Sequence, residues 1–267
     1  MMKKIQVYLL TITVIVISLF VYFMLNFRQG IHIEETMITH STIPARFSGT
    51  RLIQLSDTKI KTKKDLSLLK KTVEEINKLG ADIVVFTGDL FEKGAISSDL
   101  SKQVEKTLSE LNPSLAKVAV LGDTDLKQKK EITKILTGAS FKILRNESIE
   151  LYNGSSEGIQ LIGIDSLSTT PDLTHILEKE SSSEMFQVLL LHEPTLAAKA
   201  TDYPINLQLS GHCQGNSTKN GCTQFYNGTY PFADQLILNV NPGLKERKGI
   251  FSFFSRPTIH SFLLIKS

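Results

Sequence analysis

The segment RLIQLSDTK, residues 51–59, is a compact apolar run that stops at an aspartate, and the same grammar recurs in IVVFTGDL, residues 83–90, and VAVLGDTD, residues 118–125. Between these runs the apolar period changes. Asp65 to Leu79 places Leu66, Leu69, Val73, Ile76 and Leu79 on one helical face, and Gly80 stops that helix. Further helices are expected from about Ser98 to Leu111 and from Lys127 to Leu136, the latter ended by Gly138. Such alternation predicts an α/β fold with a parallel sheet and crossover helices. Beyond Phe141 the texture changes to short strands separated by turn-rich segments, with room for short helices near 171–179 and 194–200. This half reads as a mostly antiparallel or mixed sheet facing the first.

The 267 residues are 41% hydrophobic and 21% charged, which excludes a disordered or fibrous chain. Thirty Lys+Arg against 27 Asp+Glu, without a block of one sign, give no footprint for nucleic acid. Ile5 to Leu25 carries no charge, and as a helix it spans the hydrocarbon core of a bilayer, about 30 Å. It is longer than a signal-peptide core and no small-x-small cleavage site follows it, so it is expected to remain as an anchor. Lys3 and Lys4 precede it, which places the N-terminus in the cytoplasm and the main domain outside the cell membrane. There Cys213 and Cys222 would be permitted to form a disulfide. The expected organisation is an N-terminal tip and anchor over 1–28, a juxtamembrane segment and first strand region over 29–50, and one domain over 51–267.

In an open α/β sheet, ligands sit beyond the carboxyl ends of the strands. Asp57, Asp89 and Asp123 stand there in the first half, and His192 (LLLHEP) and His212 (LSGHCQ) follow strands in the second. Each alone reads equally as a helix cap, a turn residue or a structural histidine. Together, three carboxylates and two imidazoles suit a divalent transition metal such as Mn, Fe or Zn. GSSEG, residues 154–158, matches a nucleophile-elbow pattern by letters but lies between two strands, where it reads as a hairpin turn.

The order LSD, GD, GD-x-D, H-x-P and SGH-x-Q-G resembles the calcineurin-like metallophosphoesterases, most of all their membrane-anchored bacterial branch, over roughly Ile53 to Ile265. The closing FFSRPTI resembles that family's arginine-proline run before the last strand. The resemblance implies a four-layer αββα sandwich of two mixed sheets, preceded here by one transmembrane helix, with a two-metal phosphoester site at its rim. It also exposes departures. Lys59 stands where the family has the first-motif histidine, Glu92 where a further aspartate is common, Asp123 and Thr124 where asparagine and histidine are usual, and Gln214 where the last motif has its second histidine.

These losses fall together. One implied metal position keeps Asp57 and Asp89 but loses two neutral nitrogen ligands and acquires an ammonium, which has donors and no lone pair. The other would draw on Asp89, Asp123, His192 and His212. Lys59 either neutralises Asp57 and Asp89 in place of an ion or points to solvent. Thr124, at the family's general-acid position, cannot act as an acid near neutral pH. The expectation is a membrane-anchored member of the family with a degraded site, weakly active or inactive, holding at most one metal ion or a phosphorylated or anionic ligand. The alternatives are a single-metal phosphoester hydrolase, acting on a lipid or other cell-surface phosphoester, and an interaction domain without ligand or metal.

Overall fold

Alternation within each central strand divides the core into layers. In β3 (Ile83–Phe86), Ile83 and Val85 point into the space between two sheets, while Val84 and Phe86 point toward helices. In β8 (Phe186–Leu190), Phe186, Val188 and Leu190 fill the same central layer and Leu189 faces outward. Residues buried on both faces are what a parallel strand covered by helices requires. The computed structural model describes residues 2–27, 30–94, 96–218, 221–232, 236–245 and 256–267.

The first sheet runs β1 (His32–His40), β12 (Thr258–Lys266), β2 (Arg51–Leu55), β3, β4 (Ala116–Ala119) and β5 (Lys142–Ile143). The second runs β10 (Gly228–Phe232), β11 (Leu236–Val240), β9 (Leu207–Ser210), β8, β7 (Gly158–Gly163) and β6 (Glu147–Tyr152). The second sheet is mixed, but its centre is parallel: β11, β9, β8 and β7 pair in parallel, and only β10 and β6 join antiparallel at the edges. Helices α2 (Lys63–Lys78), α3 (Ser98–Ser109) and α4 (Lys129–Gly138) cover the first sheet, and α5 (Leu173–Glu180) and α6 (Ala197–Ala200) cover the second. This is the αββα sandwich the motifs implied.

Local chemistry accounts for the helix starts. Thr62 Oγ1 accepts from the Asp65 N–H while Asp65 Oδ2 accepts from the Thr62 N–H, a capping box that opens α2. Ser97 and Asp172 cap α3 and α5 by accepting from the N–H groups of Leu100 and His175. The third helix begins after a 3₁₀ turn over Asp125–Gln128, slightly later than its periodicity suggests. Residues 154–158 form the turn between antiparallel β6 and β7. Ahead of the sandwich, α1 (Met2–Phe27) contains a 20-residue apolar stretch, Lys4–Phe23, none of it buried. The expected anchor boundary at residue 28, and Phe253 to Ser255 of the FFSRPTI run, lie outside the described residues.

Candidate metal and phosphoester site

Beyond the strand ends, the first two loops are zipped together by backbone. The Asp57 N–H donates to Gly88 O at 2.9 Å, Lys59 to Asp89 O at 3.1 Å and Ile60 to Leu90 O at 2.9 Å. These bonds require sharp turns. Among the described residues, eight non-glycine positions have positive φ, and five of them are Asp57, Lys59, Asp89, His212 and Gln214. Left-handed backbone at such residues costs about 1–3 kcal/mol each and clusters where geometry serves a site. The loops also approach too closely for side chains between them: a Cβ on Gly122 would stand 2.4 Å from Asp89 Oδ1, and one on Gly211 would stand 2.4 Å from Asp57 Oδ2.

All five candidate residues meet at this rim. His192 is fully buried; its Nδ1 lies 2.6 Å from Thr87 O, which leaves Nε2 facing Asp89 Oδ2 and Asp123 Oδ1, each at 3.4 Å. His212 Nδ1 approaches Asp123 Oδ1 at 3.5 Å. Two overlapping groups result, Asp123 with His192 and His212, and Asp57 with Asp89 and His192.

The two groups differ in what occupies their acceptors. Asp57 is saturated by protein donors: Ser56 Oγ at 2.7 Å, the His212 N–H at 2.9 Å and the Gln214 side-chain amide at 3.3 Å. Asp89 Oδ2 takes the ammonium of Lys59, and its Oδ1 accepts from Thr124 Oγ1 and, at 3.0 Å, from the Thr124 N–H. Lys59 is buried, so of its two possible placements the inward one holds. Asp123 Oδ1 and His192 Nε2, by contrast, are buried and have no hydrogen-bond partner among the described residues. Ligand atoms 3.4–3.5 Å apart match the edge of a tetrahedron with bonds of roughly 2.1 Å, as zinc sites adopt. The Asp123 group therefore fits an ion. The Asp57 group, filled by an ammonium and an amide, does not.

Electrostatics point the same way. Burial disfavours the charged form of Lys59, but Asp89 and then Asp57 outweigh it and hold the ammonium above its ordinary pKa. Burial alone would raise Asp89, yet His192 and Lys59 hold it far below the carboxylate range. Asp123 is likewise low, chiefly because His192 and His212 face it. Burial works against a charged His192, and Asp89 and Asp123 reverse that, raising it well above the usual imidazole value. The two carboxylates thus stabilise positive charge between them, whether on an imidazolium or on a metal ion.

Sequence reasoning did not single out Asp125. Its carboxylate is fully buried and accepts from the backbone N–H groups of Asp89 at 2.7 Å, Leu90 at 2.9 Å and Gly122 at 3.0 Å, so it holds the second and third motif loops together. Burial and the Asp89 charge push its pKa up to about 6 against those three donors. The only signal was its place two residues after Asp123. Gln54 was also missed: it donates to Thr87 Oγ1 and Ser210 O, and accepts from Asn239, so it joins the two sheets under the rim. Cys213 and Cys222 form the disulfide that the sequence permitted, closing the loop after His212. Glu92, near the rim, pairs with Lys245.

The chain has relatives over most of its length. It is 33% identical over 252 residues to an uncharacterized metallophosphoesterase, YkuE, of Bacillus subtilis, covering 88% of this chain and 85% of that protein. It is 22% identical over 276 residues to the UDP-2,3-diacylglucosamine pyrophosphatase LpxG of Chlamydia muridarum, covering 83% and 81%. Among solved structures, GAP50, the anchor in the inner membrane complex of Plasmodium, superposes with a TM-score of 0.50 at 15% identity over 75% of each chain. The family model for calcineurin-like phosphoesterases matches residues 50–214, which contain every loop of the rim described above, and the chain belongs to that family.

Proposed function

We propose that this chain is a single-pass membrane protein whose domain binds one divalent ion, Mn, Fe or Zn, through Asp123, His192 and His212, with Asp89, closed by Lys59 and Thr124, beside it, and through that ion a phosphoester. The observation that carries this reading is the contrast within the rim: Asp123 Oδ1 and His192 Nε2 are buried without hydrogen-bond partners among the described residues, while Lys59 and Gln214 already fill the neighbouring position. A bound ion would supply Lewis acidity toward a phosphoryl oxygen. The chain's own residues contribute less than a two-ion site does. Lys59 neutralises Asp89 but cannot hold a hydroxide, and Thr124 hydrogen-bonds Asp89 and cannot protonate a leaving alkoxide near neutral pH. Hydrolysis is accordingly slow or lost.

A second reading, slow single-ion hydrolysis of a lipid phosphoester, draws support from the LpxG relatives, which are UDP-2,3-diacylglucosamine pyrophosphatases. For either, the domain is assigned to the outer side of the membrane. Lys3 and Lys4 ahead of the span support that topology, as does the disulfide, a bond that persists in oxidising compartments. The test is calorimetric titration of the full-length chain in detergent with manganese and with zinc, beside His212→Ala. One ion per chain is expected, with affinity reduced at least about tenfold in the variant. Two ions would refute the roles of Lys59 and Gln214, and no ion would refute the site.

A further inference from the structure

The point where the chain enters the sandwich lies at the same pole as the rim. β1 begins at His32, whose N–H donates to Pro257 O at 2.7 Å, and its first residue pairs with Thr258 at the start of β12. β12 runs antiparallel to β2, with His260 opposite Gln54, so its beginning lies beside the carboxyl end of β2, from which Asp57 projects. Contacts close the path: the Thr258 N–H donates to Gly243 O at 3.1 Å, and a Cβ on Gly243 would stand 2.5 Å from Asp57 Cβ. His32 is thus about two strand spacings, roughly 10 Å, from the rim. The other end of β1, at His40, is eight residues on and about 27 Å away. That distant pole carries Tyr152 and the start of β7 at Gly158.

Four residues, 28–31, separate the end of α1 at Phe27 from His32. Fully extended, five residue steps reach at most about 18 Å. A domain of this size is roughly 45 Å across. The tether is therefore too short for the rim pole to occupy the side of the domain away from the membrane, because the chain would have to pass around the whole sandwich.

We propose that the rim bearing Asp89, Asp123, His192 and His212 faces the bilayer that holds α1, and that the phosphoester it receives is a lipid headgroup of that same leaflet. This deepens the one-ion reading and rests on it for the headgroup, and on α1 as a membrane span for the orientation. A headgroup presented this way is confined to the surface the tether already reaches.

The test uses the full-length chain in vesicles of phosphatidylglycerol and phosphatidylethanolamine. A photo-crosslinking benzoylphenylalanine is placed either at Lys93, exposed on the loop after Asp89, or at exposed Tyr152 of the opposite pole. Lipid adducts severalfold more abundant from the Lys93 position are expected. A flexible insertion of about 20 Gly/Ser residues after Gly30 adds a reach near 25 Å and is expected to abolish that preference. Equal adducts from the two positions, or a preference for Tyr152, would overturn the orientation, and a preference that survives the insertion would overturn the short tether as its cause. Manganese titration of the same vesicles separates the two readings. If no manganese binds while the Lys93 preference persists, the one-ion site fails and the headgroup as its ligand fails with it, but the orientation stands.

Discussion

The two halves of the rim share a backbone plan and differ in chemistry. Both are built from left-handed turns at strand ends, at Asp57, Lys59, Asp89 and Gln214 on one side and at His212 on the other. On the Asp57 side, each carboxylate is closed by a protein donor: Ser56, His212 N–H and Gln214 on Asp57, and Lys59 and Thr124 on Asp89. On the Asp123 side, Asp123 Oδ1 and His192 Nε2 face each other across 3.4 Å, and neither has a hydrogen-bond partner among the described residues. The lesson is that a buried acidic cluster can meet its demand for positive charge in two ways. Replacing ligands with donors removes the need for the ion and preserves the fold, because the buried carboxylates stay neutralised. Leaving the ligands in place keeps the demand for positive charge.

The strongest way to break this contrast is to rebuild the satisfied half. Lys59→His, Thr124→His and Gln214→His combined should raise metal stoichiometry from one to two and increase hydrolysis of an aryl phosphodiester by about 10²- to 10⁴-fold. A variant that keeps its circular dichroism spectrum and shows neither gain would mean that the halves are assigned wrongly. A smaller effect is expected from Lys59→Met alone. Removing one partner of a buried ion pair leaves Asp89 uncompensated, which should cost about 3–5 kcal/mol in denaturant unfolding without metal. Added manganese should recover part of that loss, whereas an unchanged midpoint would show that the Lys59 ammonium does not neutralise the site. The mildest test sharpens the other half: Cys213→Ser with Cys222→Ser releases the loop after His212 and should cost about 2–3 kcal/mol of stability. Zinc affinity should fall with it, and unaltered affinity would show that the disulfide does not hold His212 in place.

Much of this arrangement was legible in the chain. Apolar runs ending in Asp57, Asp89, Asp123, His192 and His212 marked strand ends, and parallel strands pointing one way must deliver those residues to one edge. The parallel centre of the second sheet was not legible, because a short apolar strand has the same pattern whichever way its neighbour runs. Strand β10, at the edge, gives no clear signal in the sequence for a related reason: most of its residues are only half-buried, so alternation is weak. Gln54 and Asn239 gave no signal, since a polar residue in a strand reads as solvent-facing until a second sheet covers it.

What the sequence by itself determined is the inventory: which atoms carry lone pairs, which carry protons, and that a cation and an amide, Lys59 and Gln214, stand where the family resemblance implies two histidines. Only the tertiary structure decided where the charge of Lys59 goes. A lysine stem reaches equally well into solvent or across a turn, and the choice rests on the left-handed backbone at Lys59 and on an acceptor, Asp89, that lies 30 residues away in the chain. The same holds for the pole at which the chain enters the sandwich after α1. It depends on the pairing of β1 with β12 and of β12 with β2, contacts between the two ends of the chain that no local pattern encodes.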